Sequence, residues 1–220
     1  VVSKQFAVSN QDFNSINYLN DRKNRLTSNN LIIGSSFSFS NKSRKNMYDN
    51  EFSEFKLKIE LAGNLTNLTS NLLNVSKDEF GKNKVLGLTY SQFLKTETGY
   101  IKHWPIGLNS IIAFRSFFGI AIPFGNSNNI PFSKSFFAGG SNDNRAWEVY
   151  RLGPGSSEAL SEFNEANMKI AMNIEYRFKI LGKLDGALFT DVGNIWNVFD
   201  DTKDSTRTFN RLRDFDEIAI

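Results

Sequence analysis

The chain has no cysteine, four prolines and a single histidine among 220 residues. Without cysteine there is no disulfide framework, thiolate nucleophile or thiolate metal site. With one histidine, His103, and no nucleophile motif around it, a catalytic triad has little to stand on. No run of about 18 apolar residues exists, which excludes a transmembrane helix within the chain. Charge of one sign is also scarce. The 26 basic and 23 acidic residues leave a net charge of +3, too close to balance to point to nucleic acid.

The chain is rich in phenylalanine, with 21 residues, yet its mean hydropathy is −0.35. Apolar residues are therefore interleaved with polar ones instead of gathered into blocks. The interleaving has period two. In 51–63, Phe55, Leu57, Ile59 and Leu61 alternate with Lys56, Lys58 and Glu60. Between 110 and 124, Ile112, Phe114, Phe118, Ile120 and Ile122 oppose Ala113, Arg115, Gly119 and Ala121. Over 167–180, Met168, Ile170, Met172, Ile174, Tyr176 and Phe178 oppose Lys169, Ala171, Asn173, Glu175 and Arg177. Further strands are expected at 30–41, within the long stretch 83–104, whose second half 92–104 is the clearer, and at 184–196. Such alternation is the pattern of a half-buried strand.

The connectors alternate too. Short ones follow residues 40, 104 and 180, and long polar ones follow 9, 63, 124 and 196. Amphipathic strands joined by alternating short and long connectors predict a transmembrane antiparallel β-barrel, with short periplasmic turns and long outer loops. A soluble all-β ligand-binding barrel shows the same alternation with the apolar face turned inward, so periodicity leaves both open. VVSKQFAVS at one end and FDEIAI at the other both read as strand, so the expectation is a piece of a longer barrel.

The long segment 125–166 interrupts this order. It holds FFAGGSNDNRAW at 136–147 and RLGPGS at 151–156, with Gly139, Gly140, Gly153 and Gly155 around a central Arg145. Long loops without secondary structure are mostly functional or disordered, and this one is too aromatic for disorder. Its glycines lack the strand–glycine–helix setting of a phosphate loop. The acidic cluster Asp200, Asp201 and Asp204 lacks the spacing of a calcium cage and reads as a solvated loop.

FFAGGSNDNRAW followed by RLGPGS resembles the conserved outer loop of the BamA/TamA outer-membrane assembly and translocation family, the bacterial surface antigen barrels. A second signature, Phe-x-Asp-x-Gly, is matched by Phe189, Asp191 and Gly193 and continues into Asn194 and Trp196. Arg-Ala-Trp with Leu-Gly-Pro-Gly-Ser is most similar to the TamA-like lipoproteins of Bacteroidota. Asn144 departs from the aliphatic residue usual before the arginine, and Ala146 replaces the usual glycine.

The resemblance implies an all-β fold, the C-terminal part of a barrel of about sixteen strands. The chain would hold about strands seven to fourteen, with periplasmic repeat domains and the last strands outside it. The loop would insert into the lumen, where Arg145 is pinned to Glu175 and Asp191. Phe137, Gly139, Gly140, Ala146, Trp147, Gly153, Pro154 and Gly155 would form the loop motif, and Phe189 and Gly193 the strand motif. The implied function is non-enzymatic assembly, insertion or translocation of outer-membrane proteins, without cofactor or metal. The partners implied are outer-membrane lipids, nascent outer-membrane proteins and a periplasmic TamB-like protein, with no nucleic acid. A two-partner-secretion pore of the same superfamily stands as the alternative.

Overall fold

The computed structural model describes residues 29–72, 76–79, 81–157, 164–210 and 212–219. Six long strands make one sheet: β2 (Gly34–Lys42), β3 (Phe52–Ala62), β6 (Phe93–Pro105), β7 (Ser110–Pro123), β8 (Met168–Leu181) and β9 (Leu184–Trp196). They lie in chain order, and every neighbour is antiparallel. A second, smaller sheet holds β1 (Asn30–Leu31), β4 (Lys84–Val85) and β5 (Leu88–Tyr90). Among the described residues one α-helix, α1 (Asn64–Leu72), is present, and it follows β3. The long strands coincide with the six alternating segments of the sequence. Their short connections, 43–51, 106–109 and 182–183, share one end of the sheet, and the long ones, 63–92 and 124–167, share the other. The described strands form an open sheet with β2 and β9 at its edges, not a closed barrel.

Register turns the alternation into two continuous faces, because directly paired residues point the same way. Lys58, Glu97, Gly119, Lys169 and Ile195 form one row across the sheet. The adjacent row on the opposite face reads Phe37, Ile59, Thr96, Ile120, Met168 and Trp196. The polar face is the covered one. Ile130, Phe136, Ala138 and Leu152 of the long loop pack there against Ala62, Phe93, Ala121 and Ile195 of the wall. The apolar face stays largely bare, with Phe37, Trp104, Phe118, Ile174 and Leu188 all exposed. A soluble barrel has the reverse arrangement, since burial of apolar surface is its main driving force.

Three expectations need correction. The polar connector 64–82 contains α1, which is seated on the protein through buried Thr66 and through Asn67, bonded to the Tyr90 hydroxyl, and which its Asn and Thr residues hide in the sequence. The first half of 83–104 carries β4 and β5 of the small sheet. The strand expected at 215–220 is mostly a 3₁₀ turn over Leu212–Glu217, with an isolated bridge at Ala219. Phe215 and Ile218 are three residues apart, which suits a three-residue turn better than a strand. There Phe215 meets the Phe209 ring at 5.0 Å, and Ile218 packs beside Trp196. The strand expected at 1–9 lies outside the described residues.

Docking of the loop depends on a gap in the wall at Gly119. A Cβ there would lie 2.5 Å from the Phe136 ring, which also meets Phe117 edge-on at 6.0 Å. Lys95 Nζ sits 4.1 Å from the centroid of the same ring. Gly119→Ala is expected to destabilise the folded protein by about 1–3 kcal/mol through overpacking, and Phe136→Ala by about 3–5 kcal/mol through the cavity it leaves. The double variant should lose clearly less than the sum, because both act on one contact. Denaturant titration of the refolded protein measures all three, and full additivity would refute the contact.

Candidate functional site

The long loop between β7 and β8 folds back on itself. Phe136 and Ala166 exchange two backbone hydrogen bonds at 2.7 and 2.9 Å, tying its two arms together. Further in, Tyr150 N–H donates to Ala138 at 3.0 Å and Gly140 N–H to Trp147 at 2.8 Å. The tip is a pair of tight turns. Asp143 N–H donates to Gly140 and Trp147 N–H to Asn144, while the Asp143 carboxylate accepts from Gly139 N–H at 2.8 Å. These turns leave Arg145 projecting from the tip.

The wall presents a two-by-two patch to it. Asn173 and Glu175 on β8 face Asp191 and Phe189 on β9 across one ladder. Arg145 contacts three of its four residues. Its Nε and Nη2 donate to the two Asp191 oxygens, each at 2.8 Å, and its backbone N–H adds a third bond at 3.0 Å. Nη1 donates to Glu175 Oε2 at 2.7 Å. The guanidinium carbon stands 3.6 Å from the centroid of the Phe189 ring, a close cation–π contact. Asn173 Nδ2 donates both to Asp191 at 2.9 Å and to the Asp143 carbonyl at 2.8 Å. Asp191 above all, then Glu175, holds the guanidinium protonated beyond the ordinary arginine range. The fork of the guanidinium matches a carboxylate bidentately, so the contact fixes orientation as well as proximity.

Other residues brace the tip. Lys169 Nζ donates to the Asp143 carboxylate at 2.8 Å and to the Phe137 carbonyl at 2.7 Å. Arg115 donates to the Asn142 carbonyl. Further along the loop, Lys134 pairs with Glu60 of β3. Asn173, Lys169, Arg115 and Glu60 were not singled out as site residues in the sequence. Their signal is parity, since all four lie on the polar face, but only strand register shows which of them oppose the loop.

The structure thus brings Arg145, Glu175, Asp191 and Phe189 into one cluster. Gly193 adjoins it, because a Cβ there would come within 2.8 Å of the Asn144 side chain. Gly139 and Gly140 build the tip turns. Phe137 stacks on Tyr150 with centroids 4.3 Å apart. Ala146 and Trp147 follow the tip, and both are exposed. Gly153, Pro154 and Gly155 lie apart from the tip, at the loop's descent to β9. There Gly155 N–H donates to Ile195 at 2.8 Å, and Asn194 Nδ2 donates to the Gly155 carbonyl at 3.0 Å. His103 stacks on Phe52 on the polar face, at 4.3 Å between centroids. Asp204 is occupied by Thr206 and Arg207 of its own loop. The ionisable groups around the tip are spent on one another, so the arrangement is a fastening.

Its two carboxylates are unequal. The Asp191 side chain is 5% exposed and is held by Arg145 and Asn173, whereas Glu175 is 18% exposed and also serves Arg177. Arg145→Met leaves Asp191 buried without its cation and is expected to cost about 3 kcal/mol or more. Glu175→Gln should cost about 1 kcal/mol or less, as partly solvated pairs do. Guanidinium titration of the refolded protein gives both values, and equal losses would overturn this ranking.

Comparison with known proteins agrees with the geometry. No curated protein matches the chain. The Omp85 superfamily domain matches residues 3–217, which includes the whole amphipathic sheet and its loop. A meander of amphipathic strands with its polar face covered and its apolar face bare suits that assignment, and the chain belongs to the Omp85 superfamily.

Proposed function

We propose that this chain is the wall and lumen loop of an outer-membrane barrel that assembles, inserts or translocates outer-membrane proteins. The superfamily as a whole consists of outer-membrane proteins engaged in assembly or translocation. The observation that carries the reading is the inverted burial of the sheet: the loop covers the charged face, and large apolar side chains stand bare on the other. Lipid is the solvent in which that arrangement is stable, because a closed barrel satisfies its backbone by strand pairing and needs only an apolar exterior. Tyr100, Trp104 and Tyr176 lie on the bare face toward the short connections, where an interfacial aromatic girdle belongs.

In this reading Arg145, Glu175 and Asp191 are positioning residues. They hold the loop at one place on the inner wall, so that a wide barrel keeps its shape while its rim engages an incoming strand. Phe189 shields the guanidinium, and Gly193 gives the tip room. Work of this kind is non-covalent: it exchanges strand pairing and lipid contact, and needs neither nucleophile nor cofactor. Nascent outer-membrane proteins are the expected clients, membrane lipids the surroundings, and a periplasmic TamB-like protein the expected partner. Arg-Ala-Trp with Leu-Gly-Pro-Gly-Ser favours a TamA-like lipoprotein of Bacteroidota within the superfamily.

The test is client insertion. The full-length protein is reconstituted in vesicles of phosphatidylethanolamine and phosphatidylglycerol, and the folding of a urea-unfolded eight-stranded barrel is followed by its heat-dependent gel mobility. The wild type should accelerate folding over empty vesicles. Arg145→Glu should lose the acceleration, and adding Asp191→Arg should restore part of it. A wild type that leaves client folding unchanged but conducts unfolded polypeptide into the vesicle would instead identify a secretion pore.

A further inference from the structure

Helix α1 is built the wrong way round for water. It leaves the wall directly after β3, through Gly63. Thr66, on its inner side, is 4% exposed, and Asn67 accepts a hydrogen bond from the buried Tyr90 hydroxyl at 2.9 Å. Leu65 and Leu68, on its outer side, are 68% and 57% exposed. A helix at a protein surface ordinarily turns its apolar stripe inward. Here Thr66 and Asn67 meet the protein, and Leu65 and Leu68 point away, with Asn64 and Thr69 exposed beside them.

The side of the wall on which α1 lies follows from register. Tyr90, which α1 covers, pairs with Leu31 in the small sheet. Leu31 and Ile33 share the parity of Phe37 and Phe39 on the bare apolar face, whereas Ile32 between them packs into the core of the covered face. Tyr90 and α1 therefore lie on the outside of the wall. Ile33 and Leu88, each two residues along from Leu31 and Tyr90, are both exposed. The height follows from strand length. β3 has 11 residues, which span roughly 25–30 Å when tilted as barrel strands are, about the thickness of an apolar band. Because α1 begins two residues past the end of β3, it sits at the boundary layer on the long-loop side.

We propose that α1 is an interfacial membrane helix, with Leu65 and Leu68 immersed in the leaflet on the long-loop side. Its occupant is lipid, because the helix lies on the side of the apolar face and begins two residues past the end of β3, whose length matches an apolar band. The helix would form a collar where β3 ends, anchoring the rim of the wall to the headgroup boundary in the manner of an amphipathic surface helix. This inference rests on the apolar face being the lipid face.

The chain has no cysteine, so Leu68→Cys introduces one thiol into it. Leu68 is exposed, and a small label there leaves the packing of Thr66 and Asn67 intact. The full-length protein, labelled with an environment-sensitive fluorophore, is refolded into phosphatidylcholine vesicles. It is then quenched either by iodide in the water or by lipid brominated near the top of its acyl chains. Leu188→Cys on the wall and Tyr48→Cys in the short connection serve as lipid and water references. The Leu68 label should be quenched by brominated lipid nearly as strongly as Leu188, and by iodide about threefold less than Tyr48. Iodide quenching equal to that of Tyr48 would place α1 in water and overturn the inference. Protection from both quenchers would mean that protein covers the stripe, and would also overturn it. If Leu188 itself is open to iodide, the lipid-facing reading of the wall fails, not the placement of α1 alone.

Discussion

The ion pair between Arg145 and Asp191 turns a long irregular segment into part of the wall. Two kinds of force hold the loop to the sheet, and they do different things. The apolar cluster of Ile130, Phe136, Ala138 and Leu152 draws it onto the polar face, but burial is non-directional and tolerates sliding. The guanidinium fixes the position. It has one bidentate partner, one further carboxylate and one ring beneath it, and these coincide at one place on β8 and β9. Without that fastening, the charged row along β8 would lose the loop that covers it.

The strand ends show how the wall meets its surroundings. The six strands stop at different heights on the long-loop side. At that side β3 ends at Ala62, in register with Phe93 of β6 and Pro123 of β7, whereas β8 and β9 end three rows earlier, at Met168 and Trp196. Past the end of β3, α1 follows. At the ends of β8 and β9 the chain covers the apolar face with its own residues: Phe209 and Ile218 close over Met168, Trp196 and Val198. Trp196 Nε1 donates to the Glu217 carboxylate at 2.9 Å, and Ala219 exchanges two backbone hydrogen bonds with Gly193 on the free edge of β9. Protein covers the apolar face there, in the row that also holds Ile59 of β3, and leaves it bare further down, at Ile174 and Leu188. A sheet evenly surrounded by water has no reason to change its covering at one height.

Much of this is readable from residue order, and the remainder is lost for definite reasons. The six long strands are legible because large apolar residues alternate with polar or small ones, most clearly where Leu57, Ile59 and Leu61 alternate with Lys56, Lys58 and Glu60. α1 is not, because Asn64, Thr66, Asn67 and Thr69 are poor helix formers and only tertiary contact with Tyr90 makes the helix worthwhile. At the candidate site, period-two parity places Glu175 and Asp191 on one face, and the resemblance supplies Arg145 as their partner. Asn173 shares that parity yet carries no chemical signal, since its part depends on lying opposite Asp191 in the ladder and beneath the Asp143 carbonyl. Lys169 is hidden in the same way: one lysine among several on an alternating strand, it is distinguished only by the loop carbonyl and carboxylate above it.

Asn144 shows why the ionic contact carries so much here. It precedes Arg145 at the tip, where the resembling family has an aliphatic residue. Its side chain is buried over Gly193, and among the described residues neither its amide oxygen nor its nitrogen has a hydrogen-bond partner. An aliphatic side chain in that seat would be favourable burial, whereas an unpaired amide is a cost of about 1–3 kcal/mol. The tip therefore gains little from the fit of residue 144 into the wall and has to recover that loss elsewhere. The recovery is visible next to it: the backbone N–H of Arg145 bonds Asp191, its side chain bonds both carboxylates, and Asn173 reaches up to Asp143. In this chain the seat of the loop rests on charge and hydrogen bonding more than on shape, which makes Asp191 the residue on which the docked loop most depends.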